Sequence, residues 1–332
     1  MLSGITITCF AASYSVSLAA ELSRLFFRAR ARMFVSVGFT AAGLLAHSLF
    51  LVAQARAETF GGGNIVPLSS WFDWCLIGAW LVAAVYLGVT LRRLENAVGV
   101  FLLPPVLGLI GVAVLLRHKT PFPRDEALGH WRMIHGVSLL FGTVAVTLGL
   151  VAGVMYLAQS YRLKHKLPPR PGFRLPSLEW LQRWNKIALH VSTVLLGFGL
   201  ISGIVMNAGR SSGSVAWTDP VVVSSGVLFA WLITATLFES LYKPARQGRK
   251  VAYLTLASFI FLTLVLLFVL SGRHASSTTG DSKAGDAGEA TSQRPALFGP
   301  SGLQTLGQSS DGSRVIGSQP LGNPPRTMVV AA

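Results

Sequence analysis

The sequence predicts an all-α fold, a polytopic membrane helix bundle of about eight transmembrane helices with both termini outside. Three observations carry that expectation. Of the 332 residues, 52% are hydrophobic and only 12% charged, about half the charge of an ordinary soluble domain. The apolar residues gather in runs of about 20, the length a helix needs to cross a bilayer. Between those runs the basic residues sit on alternate loops: positions 24–32, 92–93, 162–186 and 243–250 hold 17 of the 28 Lys and Arg. This is the positive-inside pattern. It assigns the net charge of +15 to membrane topology, so the expected partner is the lipid bilayer and not nucleic acid.

The spans are expected at 4–23, 33–54, 72–91, 98–116, 133–159, 187–206, 220–238 and 251–271. Each must be helical, because lipid offers no hydrogen-bond partner to an open backbone. The opening Met1-Leu2-Ser3-Gly4 lacks the positive charge of a signal peptide, so the first run reads as a span. Pro104 and Pro105 should kink or split the fourth. Trp71, Trp74, Trp131 and Trp217 form an outer interfacial belt, and Trp180 and Trp184 an inner one. In the longest inner loop, Leu167-Pro168-Pro169-Arg170-Pro171 breaks structure and residues 175–181 read as a short interfacial helix. Residues 1–271 make the membrane domain. Residues 272–332, rich in Gly, Ser, Thr, Ala and Pro, read as a disordered outer tail. Cys9 and Cys75 fit no metal or redox spacing and read as small buried hydrophobes.

The spans hold few ionisable groups. Glu21, Asp73, Asp219 and Glu239 fall at span ends. A proton-coupled transporter of small solutes places carboxylates near midplane, so transport is the weaker reading. Histidine is the exception. His47 lies about one turn outward of the centre of the second span, His135 opens the fifth at its outer end, His190 lies one turn into the sixth, and His274 follows the eighth. A neutral imidazole is a good axial ligand for haem iron. Two at one depth on different helices can hold a haem from both faces, and His135 and His274 meet that condition. Each also fits an interfacial histidine with its polar tip in water. His47 fits a ligand or a core histidine bonded to a neighbouring helix. His47 and His190 should not share a haem, since roughly 15–20 Å of depth separates them at 1.5 Å per residue. Trp217, Asp219 and Pro220 offer a flat apolar face and a carboxylate on the outer side. They also read as an interfacial Trp followed by a helix start, with Asp at the N-cap and Pro at the first position. Arg132 and Arg273 flank the two outer histidines and could pair with haem propionates.

The order of these pieces resembles the cytochrome c assembly family of haem-handling membrane proteins, of the CcsA/ResC type, and most closely its HemX-like branch. His47 is followed by Pro67-Leu68-Ser69-Ser70-Trp71-Phe72-Asp73, where the family has Pro-Leu-Ser-Asn-x-x-Glu. Ile134-His135 runs on to Tyr156-Leu157 and Tyr161-Arg162-Leu163-Lys164. Leu175-Pro176-Ser177-Leu178-Glu179 leads to Gly197-Phe198-Gly199-Leu200-Ile201-Ser202-Gly203, and Gly272-Arg273-His274 matches the family's Gly-x-His. Of the family's tryptophan-rich loop only Trp217, Asp219 and Pro220 are present, and no second in-membrane histidine occurs in Ala235-Thr236-Leu237-Phe238-Glu239. The resemblance implies a protein of the cell inner (cytoplasmic) membrane that takes part in cytochrome c biogenesis. Haem b would be bound by His135 and His274 as metal ligands, with Trp217, Asp219 and His47 as further contacts. It would be presented for attachment to apocytochrome c with a partner assembly protein, and the chain would be a non-catalytic component. The alternative is a HemX-like membrane regulator of haem biosynthesis without haem chemistry of its own.

Overall fold

The computed structural model describes residues 6–25, 31–60, 70–92, 97–118, 129–166, 174–209, 217–241 and 248–275, without the side chains of 25, 31, 57–60, 129, 248 and 270–275. Among the described residues there are eight α-helices and no strand. In chain order they are α1 (Ile7–Leu22, followed by a 3-10 turn over Ser23–Leu25), α2 (Ala31–Phe60), α3 (Trp71–Arg92), α4 (Gly99–Leu115), α5 (Gly129–Lys164), α6 (Leu178–Ala208), α7 (Pro220–Leu241) and α8 (Gly248–Ala275). Six of them, α2, α3 and α5 to α8, are long and apolar enough to cross a membrane. The other two are shorter apolar helices of 16 and 17 residues. At 1.5 Å per residue they reach about 24 and 26 Å, slightly under a hydrocarbon core of about 30 Å.

Local chemistry sets the helix starts. Ser70 caps α3: its Oγ accepts from Asp73 N at 3.2 Å and donates to Asp73 Oδ2 at 2.6 Å, a reciprocal cap that satisfies an otherwise orphaned N–H. Ser177 caps α6 by accepting from Trp180 N. The short interfacial helix expected over 175–181, leading into the sixth span, is thus the start of α6 itself. Once capped at Ser177, the chain runs unbroken for 31 residues. The expected split at Pro104 and Pro105 is absent, since α4 continues through both. After α5, Lys166 takes a positive φ of 48°, a left-handed turn that ends the helix.

The helices pack as two four-membered rings. In the first, α1 packs on α2 and α4, and α3 on α2 and α4; in the second, α5 packs on α6 and α8, and α7 on α6 and α8. The rings meet where α5 lies on α3 and α4. One apolar core centres on the first ring, with Phe10, Tyr14, Leu76, Tyr86 and Leu103, and reaches Val151 and Met155 of α5. A second joins Val146, Leu189, Leu196, Leu228 and Leu232. Buried polar side chains tie helices across each ring, because an unsatisfied group in an apolar interior is costly. Trp80 Nε1 donates to Ser48 Oγ at 2.8 Å and Trp231 Nε1 to Ser258 Oγ at 3.1 Å. Asn185, fully buried, has its amide oriented to reach Thr255 Oγ1 at 3.0 Å, Gly149 O at 3.2 Å and Ala252 N at 3.2 Å, linking α6 to α5 and α8.

Two residue readings are corrected here. Cys9 is exposed and so is not the buried hydrophobe expected, whereas Cys75, half-buried, packs against the first core. Trp74 is more than an interfacial marker. A Cβ built on Gly136 of α5 would stand 2.7 Å from its ring, so Trp74 is the α3 side of the joint between the rings.

Candidate functional site

Cross-helix pairs fix the helix directions: Gln54–Asp73 joins the end of α2 to the start of α3, Trp74–Gly136 the start of α3 to the start of α5, His135–Gly199 the start of α5 to the C-terminal half of α6, Lys186–Glu239 the start of α6 to the end of α7, and Arg249–Ser160 the start of α8 to the end of α5. The starts of α3, α5 and α7 therefore share one end of the bundle with the ends of α6 and α8. His135, Trp217, Asp219 and residue 274 all map to that end. The described basic residues Arg24, Arg92, Arg162, Lys164, Arg174 and Arg249 map to the other.

His135 stands in the second turn of α5, half-buried against α6. Its Nδ1 lies 2.7 Å from Gly199 O and 3.4 Å from Ser202 Oγ. A carbonyl oxygen only accepts, so Nδ1 carries the proton and donates. Among the described residues none engages Nε2. The backbone of His274 belongs to the last turn of α8, while its side chain, and that of Arg273, lies outside the described residues. Trp217 is 61% exposed. Asp219 Oδ1 accepts from Val221 N at 2.8 Å, so it is the N-cap of α7 with Pro220 at the first helical position, as one of the two readings anticipated. Among the described residues no hydrogen bond joins Trp217 or Asp219 to His135.

His47 is fully buried in the first ring. Its ring stacks on Phe10 at 4.1 Å with planes 2° apart, and its Nδ1 shares a hydrogen bond with Tyr14 OH at 3.4 Å. Its Nε2 has no partner among the described residues. It is thus half of the core-histidine reading, with one nitrogen left for a ligand. His190 faces different groups. Its Nδ1 is 2.8 Å from Lys186 O, and its Nε2 lies 3.4 Å from Ser240 Oγ and 3.7 Å from Glu239 Oε2. His47 and His190 thus face different helices.

The carboxylates gain more significance than their span-end positions suggested. Glu21, Asp73 and Glu239 are 0%, 5% and 3% exposed. Glu21 Oε1 accepts from Ser36 Oγ at 3.0 Å and Tyr86 OH at 3.2 Å and pairs with Arg24 at 3.1 Å. Asp73 accepts from Gln54 Nε2 at 3.2 Å, in addition to its Ser70 cap. Glu239 pairs with Lys186 across α6 and α7. Each holds helices together, and the partners are too distant in sequence, or too ordinary in type, to carry a signal. Among the described residues no three His, Cys, Asp or Glu side chains gather to hold a metal ion.

An imidazole whose second nitrogen is held by a backbone carbonyl is suited to an axial position on haem iron, and His135 fits that requirement. The comparisons point the same way. A family model described as cytochrome c assembly protein matches residues 7–274. The chain is 24% identical over 280 residues to a cytochrome c biogenesis protein CcsA of Microcystis aeruginosa, spanning 70% of this chain and 84% of the relative. No solved structure matches. The match of residues 7–274 covers most of the chain, which therefore belongs to the cytochrome c assembly protein family.

Proposed function

We propose that this multi-pass protein of the cytoplasmic membrane binds haem b at the end of the bundle opposite the basic loops. It presents the haem there for attachment to apocytochrome c, together with a partner assembly protein. The observation that carries this reading is the setting of His135. It stands at the end shared by the start of α7 and the last turn of α8, with Nδ1 committed to Gly199 O and Nε2 open toward a ligand. His135 and His274 would be the iron ligands. Trp217, exposed beside the capped start of α7, would offer its face to the porphyrin. Asp219, occupied at Oδ1 by Val221 N, would hold that start of α7 in place. His47, with its own open Nε2, would be a contact deeper in the membrane. Bound haem supplies the vinyl groups that react with apocytochrome thiols. The chain supplies the platform.

The test is bound haem, measured under reducing conditions with haem supplied, in the wild type, His135→Ala and His274→Ala. Either substitution should strongly lower bound haem or change its spectrum, because an axial pair acts as a unit. A wild type that binds no haem removes the reading and leaves a membrane regulator in its place.

A further inference from the structure

We infer that Gly199, Ser202 and Gly203 of α6 form a positioning notch for His135, fixing its ring in the Nδ1–H tautomer and presenting Nε2 as a lone pair before any ligand arrives. Its purpose rests on the haem reading; its substance rests on the packing of α5 against α6.

These two helices meet along a regular seam. Residues 135, 139, 142 and 149 of α5 face 203, 199, 196 and 188 of α6. The steps are four, three and seven on α5 and four, three and eight on α6, which keep each set on one helix face so that side chains of one helix seat in gaps of the other. In each layer a glycine faces a side chain. A Cβ built on Gly149 would be 3.3 Å from Ala188 Cβ, one on Gly142 would be 2.8 Å from Leu196 Cγ, and one on Gly199 would be 2.7 Å from Leu139 Cδ2. The outermost layer continues the pattern with one change: the knob is an imidazole. A Cβ on Gly203 would be 3.1 Å from His135 Cε1 and 3.2 Å from Nδ1.

Two consequences follow. The missing side chain at 199 lets α6 come close enough for its carbonyl to accept a hydrogen bond from His135 Nδ1–H at 2.7 Å. The missing side chain at 203 gives the ring its place. Ser202 closes the third side, its Oγ 2.9 Å from the same carbonyl oxygen and 3.4 Å from Nδ1. Behind His135, Trp74 lies on Gly136 and braces α5 from α3. A seam whose only task is helix packing has no need of an imidazole in a layer where leucine or alanine fills the equivalent places below. Metal-binding histidines take this form, with one nitrogen on a carbonyl and the other facing the metal.

The experiment uses the full chain, labelled with 15N-histidine, purified without haem. His135→Gln identifies the His135 signals. In the wild type, His135 should show a protonated Nδ1 and an unprotonated Nε2 as a single form. Gly203→Ala should displace the ring, mix the tautomers and weaken haem binding about tenfold, in the range for loss of a histidine's outer support. Gly142→Ala, which meets Leu196 at 2.8 Å, disturbs the same seam without touching His135. It should leave both the tautomer and haem affinity near wild type. An Nε2–H tautomer, or two forms in exchange, in the haem-free wild type overturns the inference, and this holds even where Gly203→Ala does not fold. Equal effects of Gly203→Ala and Gly142→Ala on tautomer and haem also overturn it. A wild type with the expected tautomer and no haem binding removes the functional reading and leaves the notch standing.

Discussion

Replacing Lys186 with methionine removes one partner of the buried ion pair that joins the start of α6 to the end of α7. Glu239 is 4% exposed at its side chain and Lys186 30%. Methionine keeps most of the lysine stem's volume, so the change is chiefly one of charge. Truncating one partner of a buried pair costs about 3–5 kcal/mol, because the remaining charge is left uncompensated. The partial exposure of Lys186 screens the pair and moves the expectation toward the lower end, about 3 kcal/mol. That is roughly a hundredfold in the unfolding equilibrium, at about 1.4 kcal/mol per tenfold. His190, with Nε2 3.7 Å from Glu239 Oε2, is too far for a good hydrogen bond and does not replace the lysine. Denaturant titration of the protein in detergent micelles reads the loss. The double variant Lys186→Met with Glu239→Leu should recover most of it, since an apolar pair of similar size replaces a buried ion pair at little cost. A single-variant loss below about 1 kcal/mol, or a double variant as unstable as the single one, would falsify the argument that Glu239 depends on Lys186.

Three further outcomes are expected. Gly136→Leu drives a side chain into the Trp74 ring, 2.7 Å from where its Cβ must stand, and should cost about 1–3 kcal/mol in the same titration; wild-type stability would mean that α3 and α5 do not meet there. His47→Leu leaves the buried Tyr14 hydroxyl without the imidazole it meets at 3.4 Å, so the haem-free protein should lose about 1–3 kcal/mol, and adding Tyr14→Phe should recover most of it; a single variant as stable as wild type would show that the pair contributes nothing. A cysteine placed at Ser277, in a background without Cys9 and Cys75, should react with an impermeant thiol reagent added from outside the cell. Labelling only after lysis reverses the topology read from the basic loops.

The membrane spans were legible because hydropathy is a property of many residues at once. Some of their ends were not. The sixth span was read as 187–206, yet α6 runs Leu178–Ala208. Its first turns, carrying Trp180, Arg183 and Lys186, are too polar to count as a span, and they are helical because Ser177 caps them. The Asp219-Pro220 start of α7 was legible, since a cap and its proline are adjacent in sequence. The partner of His135 was not, because a backbone carbonyl has no residue-type signature. Gly197-Phe198-Gly199-Leu200-Ile201-Ser202-Gly203 had registered as a family likeness, and its physical meaning emerged only once Leu139 and His135 were seen lying against its glycines. Glu21, Asp73 and Glu239 were located correctly near helix ends. Their burial was not readable, because Arg24, Gln54 and Lys186 are ordinary residues until the fold brings them close.

The two rings bear on how the chain could be divided. Each closes on itself, α1 against α4 and α5 against α8, so contacts within a ring are made by helices that follow one another during synthesis. The first ring can therefore assemble in the bilayer before the second is complete, in the manner of domains that fold as units. A break between residues 118 and 129 severs none of the described helices and leaves both rings whole. Two genes specifying 1–118 and 129–332 should then yield fragments that find each other in the membrane, rejoining where Trp74 meets Gly136.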